Sequence, residues 1–271
     1  IQDKGYRNKG GYMTVSDIPY RTEAARVFVE AAQQAGHPYV DYNGKTQLGV
    51  SYIQGNVRNG KRCGVEKAYL RPIRNRKNLK VLLNSRVVRV LIDPETKEAR
   101  GVVFVRQRKY YKILAKKEVI LSAGAFNSPQ LLMLSGIGPE DHLRELGIPV
   151  VQNLPVGQKM YDHITFVGLN FISREPLETV KDDVMYNIST SFDFLLNGNG
   201  PFTTLGGVEA ISYIQTNNTK ESQPYPDMEL LFIGASIASD KGASNRQSLS
   251  VSKELYDAIW KPLEKENVWQ V

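Results

Sequence analysis

Residues 118–139, Glu-Val-Ile-Leu-Ser-Ala-Gly-Ala-Phe-Asn-Ser-Pro-Gln-Leu-Leu-Met-Leu-Ser-Gly-Ile-Gly-Pro, hold the residue types best suited to contacting a reactive group. Val119 to Leu121 is a short apolar run of the kind that forms a buried strand. Ser122, Ala123, Gly124 and Ala125 are small and allow a backbone or a ligand to approach closely. Ser128 followed by Pro129 reads as an N-cap and a first helical residue. Gln130 to Leu134 continues as a helix, and Gly136 is its stop. A helix start offers N–H groups without partners and a partial positive charge. That chemistry suits an anionic part of a nucleotide or flavin; tight strand–helix packing would explain the same spacing.

The elements around this stretch can be read from periodicity and turn residues. A helix runs from about Thr22 to Ala35, with Ala25, Val27, Phe28, Ala31, Ala32 and Ala35 as its apolar face, and ends at Gly36. Leu48 to Val57 reads as a strand. Glu66 to Leu70 reads as a short helix closed by Pro72. Leu79 to Ile92 is the clearest β region, with Val81 to Leu83 as a buried run. Asp93-Pro94-Glu95-Thr96 makes a turn. Gly101 to Val105 and Tyr110 to Leu114 return as strands, so a meander feeds the run at Val119. Pro139 opens a helix that ends at Gly147, and Ile148 to Val151 is a short strand. Residues 152–162 are rich in turn residues. Further on, Ile164 to Ile172, Glu209 to Gln215 and Met228 to Ile237 are strand candidates. Phe192 to Leu196 is aromatic-rich, and Asn197 to Pro201 is a break.

Composition narrows the function classes. The chain has 271 residues, 41% of them hydrophobic, a globular balance. No apolar run reaches the ~18–20 residues of a membrane span. The net charge of +7 comes from scattered basic residues. Their densest cluster, Arg71 to Lys80, contains Pro72 and no aromatic, which argues for a solvated loop and against nucleic acid. Cys63 is the single cysteine, so no disulfide forms within the chain, and its polar setting reads as an unreactive thiol. Two N-glycosylation sequons, Asn187-Ile188-Ser189 and Asn217-Asn218-Thr219, lean towards secretion. The first residues, from Ile1 to Gly5, read as the middle of a longer protein.

Gly124-Ala-Phe-Asn-Ser-Pro-Gln-Leu-Leu-Met-Leu-Ser-Gly-Ile-Gly138 resembles the second signature of the glucose–methanol–choline (GMC) oxidoreductases at every position. Asn59-Gly-Lys-Arg-Cys-Gly-Val-Glu-Lys-Ala-Tyr-Leu-Arg-Pro72 is similar to a second family segment, with Gly64 and Val65 where small hydroxyl residues are common. Asn153 to His163 resembles the family's Leu-Pro-(Gly)-Val-Gly-x-Asn-Leu-x-Asp-His, departing at Lys159 and Met160. Gly10-Gly11-Tyr12-Met13-Thr14-Val15 resembles the stretch that precedes the first helix. The best overall match is to the arthropod glucose dehydrogenase-like branch.

The resemblance implies a fold of the α/β plus α+β class. Part of an FAD/NAD(P)-binding domain, a β-meander with a strand–helix, would join a substrate domain with an antiparallel sheet. Residues 1–58 would bridge the two, 59–163 would be the central part of the FAD domain, and 164–271 an incomplete substrate domain. The implied cofactor is FAD, contacted by Val87, Ser122, Ala123, Gly124, Asn127, Ser128, Asp162 and His163. The implied activity is oxidation of an alcohol or sugar by hydride transfer to flavin, with a quinone or another acceptor taking the electrons. An FAD-retaining lyase and a catalytically inactive binding protein share the fold. The family's Gly-rich ADP-binding turn has no counterpart here. None of His37, His142 and His163 matches the family's catalytic base, so no catalytic residue is assigned, no metal is expected, and the chain alone is expected to be inactive.

Overall fold

A computed structural model describes residues 3–166, 169–174, 187–217 and 224–271. Their contacts form two compact units, Ile1–Arg76 with Phe166–Val271, and Lys77–Thr165.

The first part of the larger unit holds β1 (Ser16–Asp17), α1 (Glu23–Gln34), β2 (Gly49–Tyr52), β3 (Gln54–Gly55), β4 (Val57–Arg58) and β5 (Lys61–Arg62). Thr22 caps α1 by accepting a hydrogen bond from the Ala25 N–H at 3.2 Å. The helix turns Ala24, Ala25, Phe28, Val29 and Ala32 towards the core. Val27 and Ala31, expected on that face, are exposed. At about 100° per residue they fall outside the stripe formed by positions 24, 25, 28, 29 and 32. Thr22 is held in turn by the buried Glu209, which accepts from its N–H at 2.6 Å and its hydroxyl at 3.0 Å. The carboxylate therefore sits at the positive end of α1. Gly234 leaves room for it, because a Cβ there would stand 2.2 Å from Glu209 Oε1.

Residues 66–73 depart from the expected helix closed by Pro72. A wide turn, Glu66–Leu70, runs directly into a tight turn, Arg71–Ile73, that contains Pro72. Proline is tolerated at the start of such a turn, where no N–H is required. Cys63 is fully buried. A hydrogen bond from the Thr14 backbone, aided by the nearby Arg58 guanidinium, holds its thiol below the usual value against the opposing effect of burial.

The smaller unit opens with β6 (Arg86–Ile92), β7 (Ala99–Arg106) and β8 (Lys109–Leu114), an antiparallel meander as the sequence predicts. Asp93 shapes the first turn, its Oδ1 accepting from the Glu95 and Thr96 N–H groups. α2 (Gly124–Leu134), β9 (Ile137–Gly138), α3 (Glu140–Glu145) and β10 (Gln152–Asn153) follow, with β9 and β10 paired in parallel. Three expectations fail here. Residues 79–84 are not a strand, and Leu83 is 71% exposed. Val119 to Leu121 is irregular, and Ile120 is 77% exposed. The strand expected at Ile148 to Val151 forms instead at Gln152–Asn153. Apolar runs become buried strands only when a neighbouring strand supplies a ladder and a layer covers each face. Among the described residues none lies alongside the first two.

The larger unit closes with β11 (Asn170–Ile172), α4 (Ile188–Asn197), β12 (Val208–Ile214), β13 (Met228–Ile233) and β14 (Val268–Gln270). They complete a five-stranded antiparallel sheet in the order β11-β14-β13-β12-β2. α1 packs on it through Val50, Ala210 and Phe232, beside Trp269, which stacks on Phe171 at 4.3 Å. This is the antiparallel sheet of the expected fold class, joined in one chain to the meander and helix. β14 was not foreseen, because a three-residue strand is too short to show a period. Asn59 (φ 52°) and Gly60 (φ 67°) turn β4 into β5, and both left-handed angles match the twist of a two-residue hairpin. Gly60 also lies backbone against backbone on Gly198 at the end of α4, with its missing Cβ only 2.1 Å from the Gly198 carbonyl oxygen. The strand candidate at 164–172 lies partly outside the described residues.

Candidate functional site

The start of α2 is an exposed, uncapped helix N-terminus. The helix begins at Gly124, not at Pro129, and Ala123 stands at the N-cap without a side-chain hydrogen bond. Gly124 has φ +92°, which a glycine adopts freely and which lets the chain enter the helix abruptly. Ser128 is therefore no N-cap. It lies in the second turn, and its hydroxyl reaches back to accept from the Ala123 N–H at 3.0 Å. Pro129 stands inside the helix, where its ring removes the donor that would have met the Ala125 carbonyl. Helix geometry leaves the N–H groups of Gly124, Ala125 and Phe126 without a carbonyl one turn back. Ser122 to Asn127 are all exposed, and a Cβ on Gly124 would meet nothing within 4 Å. The result is an open lip of donors with partial positive charge.

The other side of α2 anchors that lip. Ser135 is buried at the end of the helix, donates to the Leu131 carbonyl at 2.6 Å and accepts from the Val90 N–H at 2.8 Å. β6 is an edge of the meander, and its pairing with β7 skips a residue between Val87 and Arg89. The Val90 N–H is thus met by the helix, which binds α2 to β6. A buried N–H left unmet costs about 1–3 kcal/mol. Gly136 (φ +88°) then turns the chain sharply into β9; a Cβ there would lie 2.5 Å from the Pro149 carbonyl oxygen. Farther on, Gly157 passes close to α2, with its added Cβ 3.5 Å from Met133 Cε and 3.8 Å from Pro129 Cβ.

The candidate residues fall into three groups. Ser122, Ala123, Gly124, Asn127 and Ser128 share the lip. Val87 lies on β6, the strand that α2 covers, opposite Phe104, and is 37% exposed. Asp162 and His163 lie in the exposed, irregular stretch beyond Gly157, where the Asp162 carboxylate accepts from the His163 N–H at 2.8 Å. Among the described residues neither shares a hydrogen bond or ion pair with β6 or α2. Lys159 and Met160, the two departures from the family pattern, are exposed in the same stretch. His142 is exposed on α3, and His37 follows α1 with its N–H on the Ala32 carbonyl. Among the described residues no three His, Cys, Asp or Glu side chains converge as a metal site, and no helix is long and apolar enough to cross a membrane.

One constellation escaped the sequence. In the larger unit the Asp41 side chain is 0% exposed, and both of its oxygens accept from the Arg7 guanidinium. The N–H groups of Asp3 and Asn43 add to it at 3.0 and 3.2 Å, and Arg7 also meets Gln54 Oε1 at 2.8 Å. Burial pushes the Asp41 carboxyl up, but Arg7 and these N–H groups hold it below the usual carboxylate value. A cavity of about 420 Å³ lies beside the pair, lined by Tyr6, Tyr42, Asn43 and Gln54 among others. Nothing in the sequence announces a pair 34 residues apart without periodicity.

The chain is similar to known proteins. A family profile described as GMC oxidoreductase matches residues 4–165. Glucose dehydrogenase (FAD, quinone) of Drosophila melanogaster is 36% identical over 231 residues, which are 84% of this chain and 36% of that protein. Mitochondrial choline dehydrogenase of Homo sapiens is 37% identical over 237 residues, 86% of this chain and 38% of that one. Among solved structures, pyridoxine 4-oxidase from Mesorbium loti superposes with a TM-score of 0.66 at 27% identity, covering 84% of this chain and 40% of its own. The chain thus spans well under half the length of these relatives.

Proposed function

The chain belongs to the GMC oxidoreductase family, and from that premise we propose that it is the central part of an FAD-dependent enzyme that oxidises the CH–OH group of an alcohol or sugar. The observation that carries this reading is the uncapped lip of α2, with N–H groups facing solvent and no side chain in the way. Anionic groups bind such helix starts through the N–H groups and the helix dipole. The lip therefore fits an electron-rich part of FAD other than the ADP half, which the family's Gly-rich turn would hold. The chemistry FAD supplies when bound is acceptance of a hydride from the carbon bearing the hydroxyl.

On this reading Ser122, Ala123 and Gly124 let the cofactor approach the backbone, and Asn127 and Ser128 flank it. Val87 offers the free edge of β6, and Asp162 and His163 stand on the stretch that leaves α2 at Gly157. The five-stranded sheet belongs to the substrate-binding part. No residue of this chain is assigned the removal of the hydroxyl proton: His37 follows α1, His142 is exposed within α3, and His163 belongs to the stretch that resembles the family's Asp-His pair. A quinone is the acceptor suggested by the name of the Drosophila relative. The inactive binding protein remains the second reading, favoured by Lys159 in the exposed stretch.

Flavin content tests the cofactor half of the proposal. Protein made from the complete reading frame should carry about one FAD per chain, released on denaturation. Residues 1–271 alone should carry almost none, because the lip is a single wall of the site. Stoichiometric yellow flavin on residues 1–271 would show that this division of labour is wrong.

A further inference from the structure

We propose that Asn187 is an N-glycosylation site, carrying an oligosaccharide on its side-chain amide nitrogen. The sequon Asn187-Ile188-Ser189 stands at the start of α4, where Asn187 is the N-cap and is exposed. Its backbone is extended there, with φ −68° and ψ 133°. Its Oδ1 accepts from the Ser189 N–H at 2.9 Å and from the Ser189 hydroxyl at 2.7 Å. The cap therefore uses the amide oxygen alone. Among the described residues no hydrogen bond involves Nδ2, so capping and glycosylation use different atoms of one side chain and are compatible. The sequon hydroxyl donates to the amide oxygen and leaves Nδ2 uncovered.

The other sequon lacks this support. Asn217 is exposed, but its partners Asn218 and Thr219 lie outside the described residues. The reaction needs a lipid-linked diphosphate oligosaccharide as donor. The bond from the first sugar's C1 to the diphosphate oxygen breaks and the lipid diphosphate leaves with that electron pair, a bond from Nδ2 to C1 forms, and the proton lost from Nδ2 passes to the transferring enzyme's base and on to solvent. No oxidant or reductant is involved. The proposal commits the protein to the lumen of the secretory route.

The test is mass spectrometry of the protein purified from the cells that make it, after enzymatic release of N-glycans in ¹⁸O water. Chymotrypsin is the protease of choice, because no Lys or Arg lies between Asn187 and Asn217 and one tryptic peptide would carry both sequons. Position 187 should be recovered as ¹⁸O-labelled aspartate. Ser189→Ala should abolish the label and Ser189→Thr should retain it. Releasing the glycan should not lower the melting temperature, because the aspartate left at position 187 still caps the helix, whereas Asn187→Ala should lower it. Recovery of unmodified Asn187, or of label at Asn217 alone, would overturn the proposal.

Discussion

Replacing Ala123 with Asp is expected to strip the protein of FAD while leaving its fold intact. Ala123 is the N-cap of α2, is exposed, and makes no side-chain hydrogen bond. A carboxylate at a helix start is favourable in itself, since it meets free N–H groups and the positive end of the dipole. It would also occupy the donors offered to the cofactor and set a negative charge beside its electron-rich edge. A hydrogen bond to a charged group is worth about 1.5–3 kcal/mol, so the Kd for FAD should rise roughly 10- to 150-fold. Circular dichroism and the urea midpoint of the apoprotein should match wild type. Equilibrium dialysis showing unchanged FAD affinity in the folded variant would remove α2 from the cofactor site.

Arg7→Ala is expected to be the most damaging single change to stability. It leaves the Asp41 carboxylate buried with only the Asp3 and Asn43 N–H groups. Removing one partner of a buried pair typically costs about 3–5 kcal/mol. In a protein of this size that corresponds to a fall in Tm of roughly 6–20 °C. The pH dependence has a definite sign. Asp41 is held below its ordinary value in the fold, so its contribution is present above the unfolded carboxylate value of about 3.9 and is lost as pH falls through the folded one. The deficit of the variant should therefore be largest near neutral pH and shrink in acid. Adding Asp41→Asn to Arg7→Met should recover part of the loss, because it removes the buried charge, although the single amide oxygen can replace only one of the two carboxylate oxygens that accept from the Asp3 and Asn43 N–H groups. A deficit as large at about pH 2.5 as at pH 7 would assign the effect to packing.

What the sequence disclosed depended on whether the signal was local. α1 was legible from Thr22 and Gly36 because caps act within a turn, and the meander from the Asp93 turn and alternating strands. The five-stranded sheet was legible strand by strand except for β14, whose three residues are too few to show a period. Val81 to Leu83 and Val119 to Leu121 misled because an apolar run states only that burial is favourable. Whether burial happens depends on a neighbouring strand, which is not a property of the run. The start of α2 misled for another reason: Ser128-Pro129 is a strong local signal, but Gly124 with φ +92° opens the helix five residues earlier and the Ser128 hydroxyl serves the Ala123 N–H instead. The lip itself was still found, because small residues before an apolar helix remain visible wherever the helix begins. The Arg7–Asp41 pair was invisible, since it is made by a fold that brings together positions with no shared pattern.

The central claim is that this lip belongs to a flavin enzyme acting on alcohols. It is tested most directly by anaerobic addition of glucose, choline, pyridoxine and simple alcohols to the FAD-loaded protein made from the complete reading frame. At least one of them should bleach the flavin absorbance, and a quinone should restore it. Flavin that is tightly bound yet unbleached by every alcohol would contradict the claim and leave the binding-protein reading in its place.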